Sequence, residues 1–376
     1  MLEKPFDNLI ADSQGREVEP LPPSKFDFER YADYEAKLLE RNRVFWQAPS
    51  GMAVYQRFRV PQVYTYGCRD MKTSLALQLG ALQESMRYEM DIPNFLEPWY
   101  GIGTIAIAFG AEYDWKPGQA PAIKPPFQSV EEALEKDIRP VEETPIGKHT
   151  LQMIEYFLEK TKGRLPISFT DTQSPMNTAS FLIETSNFYM SFYDNPEGLR
   201  KLLKLIAEQL FRFTIKQMEL IGDVLVFPGH GFASSRVFSG LGMSDDVMIT
   251  MSEKQYCEFE IPAIETAGVP FKGVAFHSCG NWSGKTETVK KIANLVMVDG
   301  AFSAETDPEC NLILPFTESF SNTGITVNAR IVGDTDVVID KVKQLMAPNM
   351  KLIVVTYSKT PEEQAQTYLR LHQLLQ

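Results

Sequence analysis

Apolar and β-branched runs closed by Gly, Pro or Asp recur along the chain, and most alternate with longer stretches whose apolar residues have helical spacing. Read forward, eight runs predict strands: 92–99, 122–126, 165–171, 223–228, 273–278, 295–299, 325–330 and 352–356. Helical patterns cover 148–161, 196–221, 252–267, 284–294, 335–346 and 361–375. Several helix starts carry capping signals. Asp194 or Asn195 precedes Pro196 at a first turn, and Ser252-Glu253-Lys254-Gln255 reads as a capping sequence. Thr360-Pro361-Glu362-Glu363 supplies an N-cap, a first-turn proline and acidic residues.

Strands interleaved with helices predict a parallel sheet. A count of eight favours an α/β fold closed into a (β/α)8 TIM barrel over an open, doubly wound sheet. No G-x-G-x-x-G follows an early strand, which also weighs against the open sheet. Residues 1–70 are rich in charge, proline and aromatics. They predict an N-terminal helical extension packed on a barrel that spans residues 71–376, with a small separate lobe as the alternative.

Composition narrows the function classes. The 376 residues are 44% hydrophobic and 23% charged, which excludes a disordered or coiled-coil chain. A net charge of −12 with no basic run argues against nucleic acid as a partner. No apolar run approaches the ~18 residues of a membrane helix. Met1-Leu2-Glu3-Lys4-Pro5 lacks a signal peptide's apolar stretch, so a cytoplasmic protein is expected. The four cysteines, Cys68, Cys257, Cys279 and Cys310, show no disulfide spacing. A special cysteine here is therefore a ligand or nucleophile rather than a staple.

The sharpest chemical feature is Gly273-Val274-Ala275-Phe276-His277-Ser278-Cys279-Gly280-Asn281. Side chains two apart on a strand share a face, so His277 and Cys279 point together at the C-terminal end of a strand. Barrel active sites lie at that end. An imidazole and a thiolate so placed can share one Zn²⁺, which needs at least one more protein ligand. The alternative from spacing alone is a hydrogen-bonded histidine beside an inert cysteine.

The segment Phe276–Asn281 resembles the zinc-binding H-x-C-G-N stretch of the uroporphyrinogen decarboxylase superfamily, and more closely its corrinoid-dependent methyltransferase branch. Asp91-Ile92-Pro93 through Ala106–Glu112, Pro166–Leu182, and Ser244-Asp245-Asp246 with Met251-Ser252-Glu253 and Glu260-Ile261-Pro262 resemble further landmarks of that superfamily, in order, over roughly residues 85–376. The resemblance implies a (β/α)8 barrel and zinc-dependent methyl transfer between a thiol and a corrinoid carried on a separate protein. It also implies a homodimer. The methyltransferases place a third zinc ligand, a cysteine, after the last strand. Residues Leu352–Pro361 hold none. Cys310 is the substitute to expect, with an oxygen from Glu97, Asp171 or Asp246 as the alternative.

Other residues complete the expectation. Arg57 and Arg59, like Glu97, are candidate substrate contacts, since arginine suits carboxylates. Asp171 closes a strand as a candidate base or helix cap. His230, flanked by Gly229 and Gly231, suits proton transfer or a plain loop. Asp246 beside Asp245 invites a cation, and Tyr357 ends the last strand as a hydrogen-bond donor. Asp171, His230, Asp246 and Tyr357 are thus the candidate catalytic set. Decarboxylation of uroporphyrinogen or a related carboxylated substrate is the alternative activity. A non-catalytic tetrapyrrole- or corrinoid-binding barrel is the third.

Overall fold

The computed structural model describes residues 14–375. The opening Met1–Pro5 lies outside them. The strands are β1 (Gly51–Gln56), β2 (Tyr113–Asp114), β3 (Ala122–Ile123), β4 (Leu241–Ser244), β5 (Val274–His277), β6 (Leu295–Ala301), β7 (Thr326–Arg330) and β8 (Lys351–Thr356), of which β6 and β8 are the most continuous aliphatic runs. Every residue of β7 and β8 is buried, because helices cover one face and the barrel interior the other. Six strands pair in parallel in the order β1-β8-β7-β6-β5-β4.

The other side of the ring is irregular. The Asp91 N–H donates to Val54 O (2.8 Å), Leu96 N–H to Pro166 O (2.9 Å) and Ile167 N–H to Val224 O (2.9 Å). The Ser244 N–H reaches Thr172 O (3.0 Å) and brings the circuit back to β4. The expected strands 92–99, 165–171 and 223–228 therefore occupy barrel positions as isolated parallel bridges, Leu96 to Ile167 and Ile167 to Leu225. The chain is an α/β barrel of the TIM type with a helical N-terminus, in which Phe28–Gln47 is the first long helix.

Four expectations need correction. The first barrel strand, β1, pairs with β8 and lies inside residues 1–70, so the extension ends before Gly51 rather than at 70. The run 122–126 is not a barrel strand, since Ala122–Ile123 pairs antiparallel with Tyr113–Asp114 in a separate hairpin. The helix expected over 284–294 is broken into Ser283–Lys285 and Thr286–Val289. The helix expected over 252–267 contains a π-helical turn, Tyr256–Glu260, just before Pro262, which has no N–H to continue an α-helical ladder.

Between Leu225 and β4 the chain doubles back. Phe227 and Ser235 form an antiparallel bridge, and the returning strand of chain runs through the ring itself. Phe232, Ala233 and Phe238 pack on Ala53 and Tyr55 of β1, Ala275 of β5, Met297 of β6, and Ile353 and Val355 of β8. Those partners alternate along their strands and so share the inner face. A Cβ on Gly242 would stand 2.8 Å from the Phe232 ring, so glycine there makes room for this plug. Its far end is held by Arg236, whose Nε and Nη2 donate to the two carboxylate oxygens of Glu35 at 2.7 and 2.9 Å.

Candidate active site

A cleft of about 320 Å³ opens at the C-terminal ends of the strands, lined among others by Arg57, Arg59, His230, His277, Cys279 and Arg330. Its two walls differ in chemistry.

The first wall is built by strand ends. His277 closes β5, and its Nε2 stands 3.4 Å from the Cys279 Sγ. On the other side of the ring, Nδ1 donates to Asp299 Oδ2 at 2.7 Å. Asp299 lies on β6 opposite His277, and it also accepts from Asn328 Nδ2 (2.6 Å) and Arg330 Nε (2.9 Å) of β7. Burial favours the neutral acid, but Arg330 and His277 outweigh it and hold Asp299 down at about 2. The carboxylate therefore stays charged and fixes the ring with Nε2 toward Cys279. Burial also disfavours a charged His277; the Cys279 sulfur and the Asp299 hydrogen bond overcome that and lift it to about 10 when no cation is present. The turn after β5 is pinned by two more carboxylates. The Cys279 N–H donates to Asp246 Oδ1 and the Gly280 N–H to Asp307 Oδ2, each at 2.7 Å.

One ligand atom each from Asp246, His277 and Cys279 lies within 4.8 Å of the others. An imidazole nitrogen, a thiolate and a carboxylate at the rim of a cleft are a donor set that fits zinc, with room for a further ligand. Among the described residues Cys310 is not part of this group. It lies in the turn after Asp307, next to Asn311, whose Oδ1 accepts from Trp282 N–H at 2.9 Å.

The second wall is delivered by irregular backbone. His230 sits at the tip of the plug between two carboxylates. Its Nδ1 is 2.8 Å from Glu97 Oε2, and its Nε2 is 3.4 Å from Asp171 Oδ2. Tyr64 OH also donates to Glu97 (2.7 Å), while Asp171 accepts from Trp99 Nε1 (2.9 Å) and Gln173 Nε2 (2.7 Å). Burial works against the imidazolium, but Asp171 and Glu97 together raise the His230 pKa. Glu97 is held below the usual carboxylate range, since His230 and Arg57 outweigh its burial.

The floor is basic. Arg57, Arg59 and Arg330 line the cleft, and Tyr357 lies buried near them. Among the described residues neither Arg330 Nη2 nor the Tyr357 hydroxyl has a hydrogen-bond partner. Arg330 lines the cleft, and a buried guanidinium nitrogen left unpaired there is suited to an anionic ligand group.

The structure thus brings Glu97, Arg57, Arg59, Asp171, His230, Asp246, His277 and Cys279 around one region, with Tyr357 behind the floor and Cys310 apart. Asp299, Asn328, Asp307 and Arg330 were not anticipated. Their signal was available in part, because Asp299 and Arg330 are charged residues at the ends of runs that otherwise read as buried strands.

The model of the family "Uroporphyrinogen decarboxylase (URO-D)" matches residues 68–351. The chain belongs to the uroporphyrinogen decarboxylase (URO-D) family. Among solved structures, a methyltransferase from Methanosarcina mazei is similar with a TM-score of 0.60 and 13% identity, over 90% of this chain and 99% of that one. At that identity the likeness speaks for the fold. None of the curated proteins matches the chain. Among the described residues no helix is long and apolar enough to cross a membrane.

Proposed function

We propose that this URO-D family member is a zinc-dependent methyltransferase that moves a methyl group between a corrinoid on a separate protein and a small anionic thiol. The observation that carries the reading is the pair formed by Cys279 Sγ and His277 Nε2, 3.4 Å apart at the cleft, with Nδ1 already committed to Asp299. That arrangement leaves one nitrogen and one sulfur for a metal and fixes the imidazole that presents the nitrogen. Bound there, zinc would keep a substrate thiol as thiolate near neutral pH.

The protein's own residues supply the rest. Arg57, Arg59 and the free nitrogen of Arg330 hold the substrate's anionic end. Methylating a thiol releases a proton, and His230, with Glu97 and Asp171 behind it, is the exchangeable group on the opposite wall of the cleft. A cleft of about 320 Å³ suits a small substrate better than a tetrapyrrole.

A second reading has one observation in its favour. A histidine kept charged beside a basic floor can bind a carboxylated substrate and protonate the carbanion that loss of CO₂ leaves. The two readings separate by metal and product. Protein purified without chelators should carry about one zinc, lost in Cys279→Ala, and should pass methyl from methylcobalamin to a carboxylated or sulfonated thiol. Metal-free protein that releases CO₂ from a carboxylated substrate would replace the first reading with the second. Neither activity, with retained corrinoid affinity, would mean a binding barrel.

A further inference from the structure

Resting on the zinc reading above, we infer that the third protein ligand of the metal is Asp246, and that no second cysteine takes part. Three independent features place this carboxylate at the ion. Its ligand atom falls within 4.8 Å of those of His277 and Cys279, which no other metal-capable group of the described residues achieves together with them. Its Oδ1 accepts the Cys279 N–H at 2.7 Å, so its second oxygen remains for a cation. Its backbone is fixed relative to β5, because the neighbouring Asp245 N–H donates to His277 O at 2.8 Å and the Asp245 side chain is anchored by Tyr256 OH at 2.8 Å.

The loop between β4 and β5 therefore delivers the oxygen ligand in register with the nitrogen and sulfur ligands at the end of β5. Val247 N–H, one residue on, donates to Asn177 Oδ1 at 3.2 Å, which ties the same loop to the wall that holds Asp171 through Gln173. A ligand set of one sulfur, one nitrogen and one oxygen carries the same formal charge as a set with two thiolates and one imidazole. It is harder, however, and donates less electron density to the ion.

The test is a sulfur count by zinc-edge X-ray absorption on the full-length protein, with metal content measured alongside. We expect one sulfur per zinc in the wild type and in Cys310→Ser, and two in Asp246→Cys. Asp246→Asn should bind zinc more weakly by about tenfold or more, a conservative figure given that losing even an outer-shell partner costs ~10–100-fold. Asp246→Cys guards against a folding artefact, since it gains a signal where a damaged protein would lose one. Two sulfurs in the wild type, or loss of zinc in Cys310→Ser, would overturn the assignment while leaving the zinc reading intact. No metal in any form of the protein would overturn that reading and the assignment with it.

Discussion

The two halves of the barrel are built by different rules. From β4 through β8 to β1, six strands pair continuously, and their ends carry the donors of the candidate metal site. From Asp91 to Pro228 the ring is closed by isolated bridges, and its inner space is filled by the plug that carries His230. The strand half positions groups through the ladder. His277 faces Asp299 because β5 and β6 are in register there, and Asn328 of β7 is in register with Asp299 in turn. The irregular half positions groups through side chains, with Glu97 and Asp171 each held by neighbours from elsewhere in the chain. Where the backbone is regular, neighbours follow from strand order. Where it is not, each contact has to be specified separately, and the resulting site depends on packing.

That contrast can be broken at the strand half first. Asp299→Ala should be the most damaging change, because it leaves Arg330 buried without its ion-pair partner and His277 without its anchor. Losing one partner of a buried pair costs about 3–5 kcal/mol, which urea unfolding would read directly. A loss below ~1 kcal/mol would mean the ladder, and not this carboxylate, holds the wall together.

The plug gives the next largest effect. Phe232→Ala removes a buried ring from the barrel interior, where Phe→Ala typically costs about 3–5 kcal/mol. Gly242→Ala pushes a methyl into the same ring and should cost about 1–3 kcal/mol. If both variants unfold at the wild-type urea midpoint, the plug is not part of the folded core.

His230 gives the smallest effect, and its sign is fixed by the direction of its shift. Its folded pKa is raised, so the stabilisation from its ion pairs is fully present below the unfolded value of about 6.5. It is lost as pH rises through the higher folded value. The stability difference between wild type and His230→Gln should therefore shrink as pH rises above neutrality. A difference that stays flat over the same range would show that His230 is neutral between Glu97 and Asp171.

Much of the strand half was legible in the sequence. The segment 273–278 alternates Val274 and Phe276 with Ala275 and His277, and a period of two is enough to place His277 and Cys279 on one face. The run 325–330 was readable for the same reason, alternating Ile325, Val327 and Ala329 with Thr326, Asn328 and Arg330, while 295–299 and 352–356 were readable as nearly unbroken apolar stretches. Other elements were hidden. β4 is only Leu-Gly-Met-Ser, and β1 begins at a glycine in a polar region, so neither offers a period long enough to stand out. The stretch 223–228 looks like an ordinary strand, because nothing local announces that the residues after it turn back into the ring.

What the sequence determined by itself is therefore the architecture and the two residues, His277 and Cys279, that its alternation sets side by side. Alternation is a local property, enforced by the backbone's own geometry, and survives without knowledge of the partners. The third member of the cluster, the carboxylate beneath His277 and the pairing of His230 with Glu97 and Asp171 were decided only by tertiary structure. Those groups are separated by 31, 22, 133 and 59 positions along the chain (246 to 277, 277 to 299, 97 to 230 and 171 to 230). Their meeting depends on how the ring closes and on the space Gly242 leaves for Phe232, which no local pattern encodes.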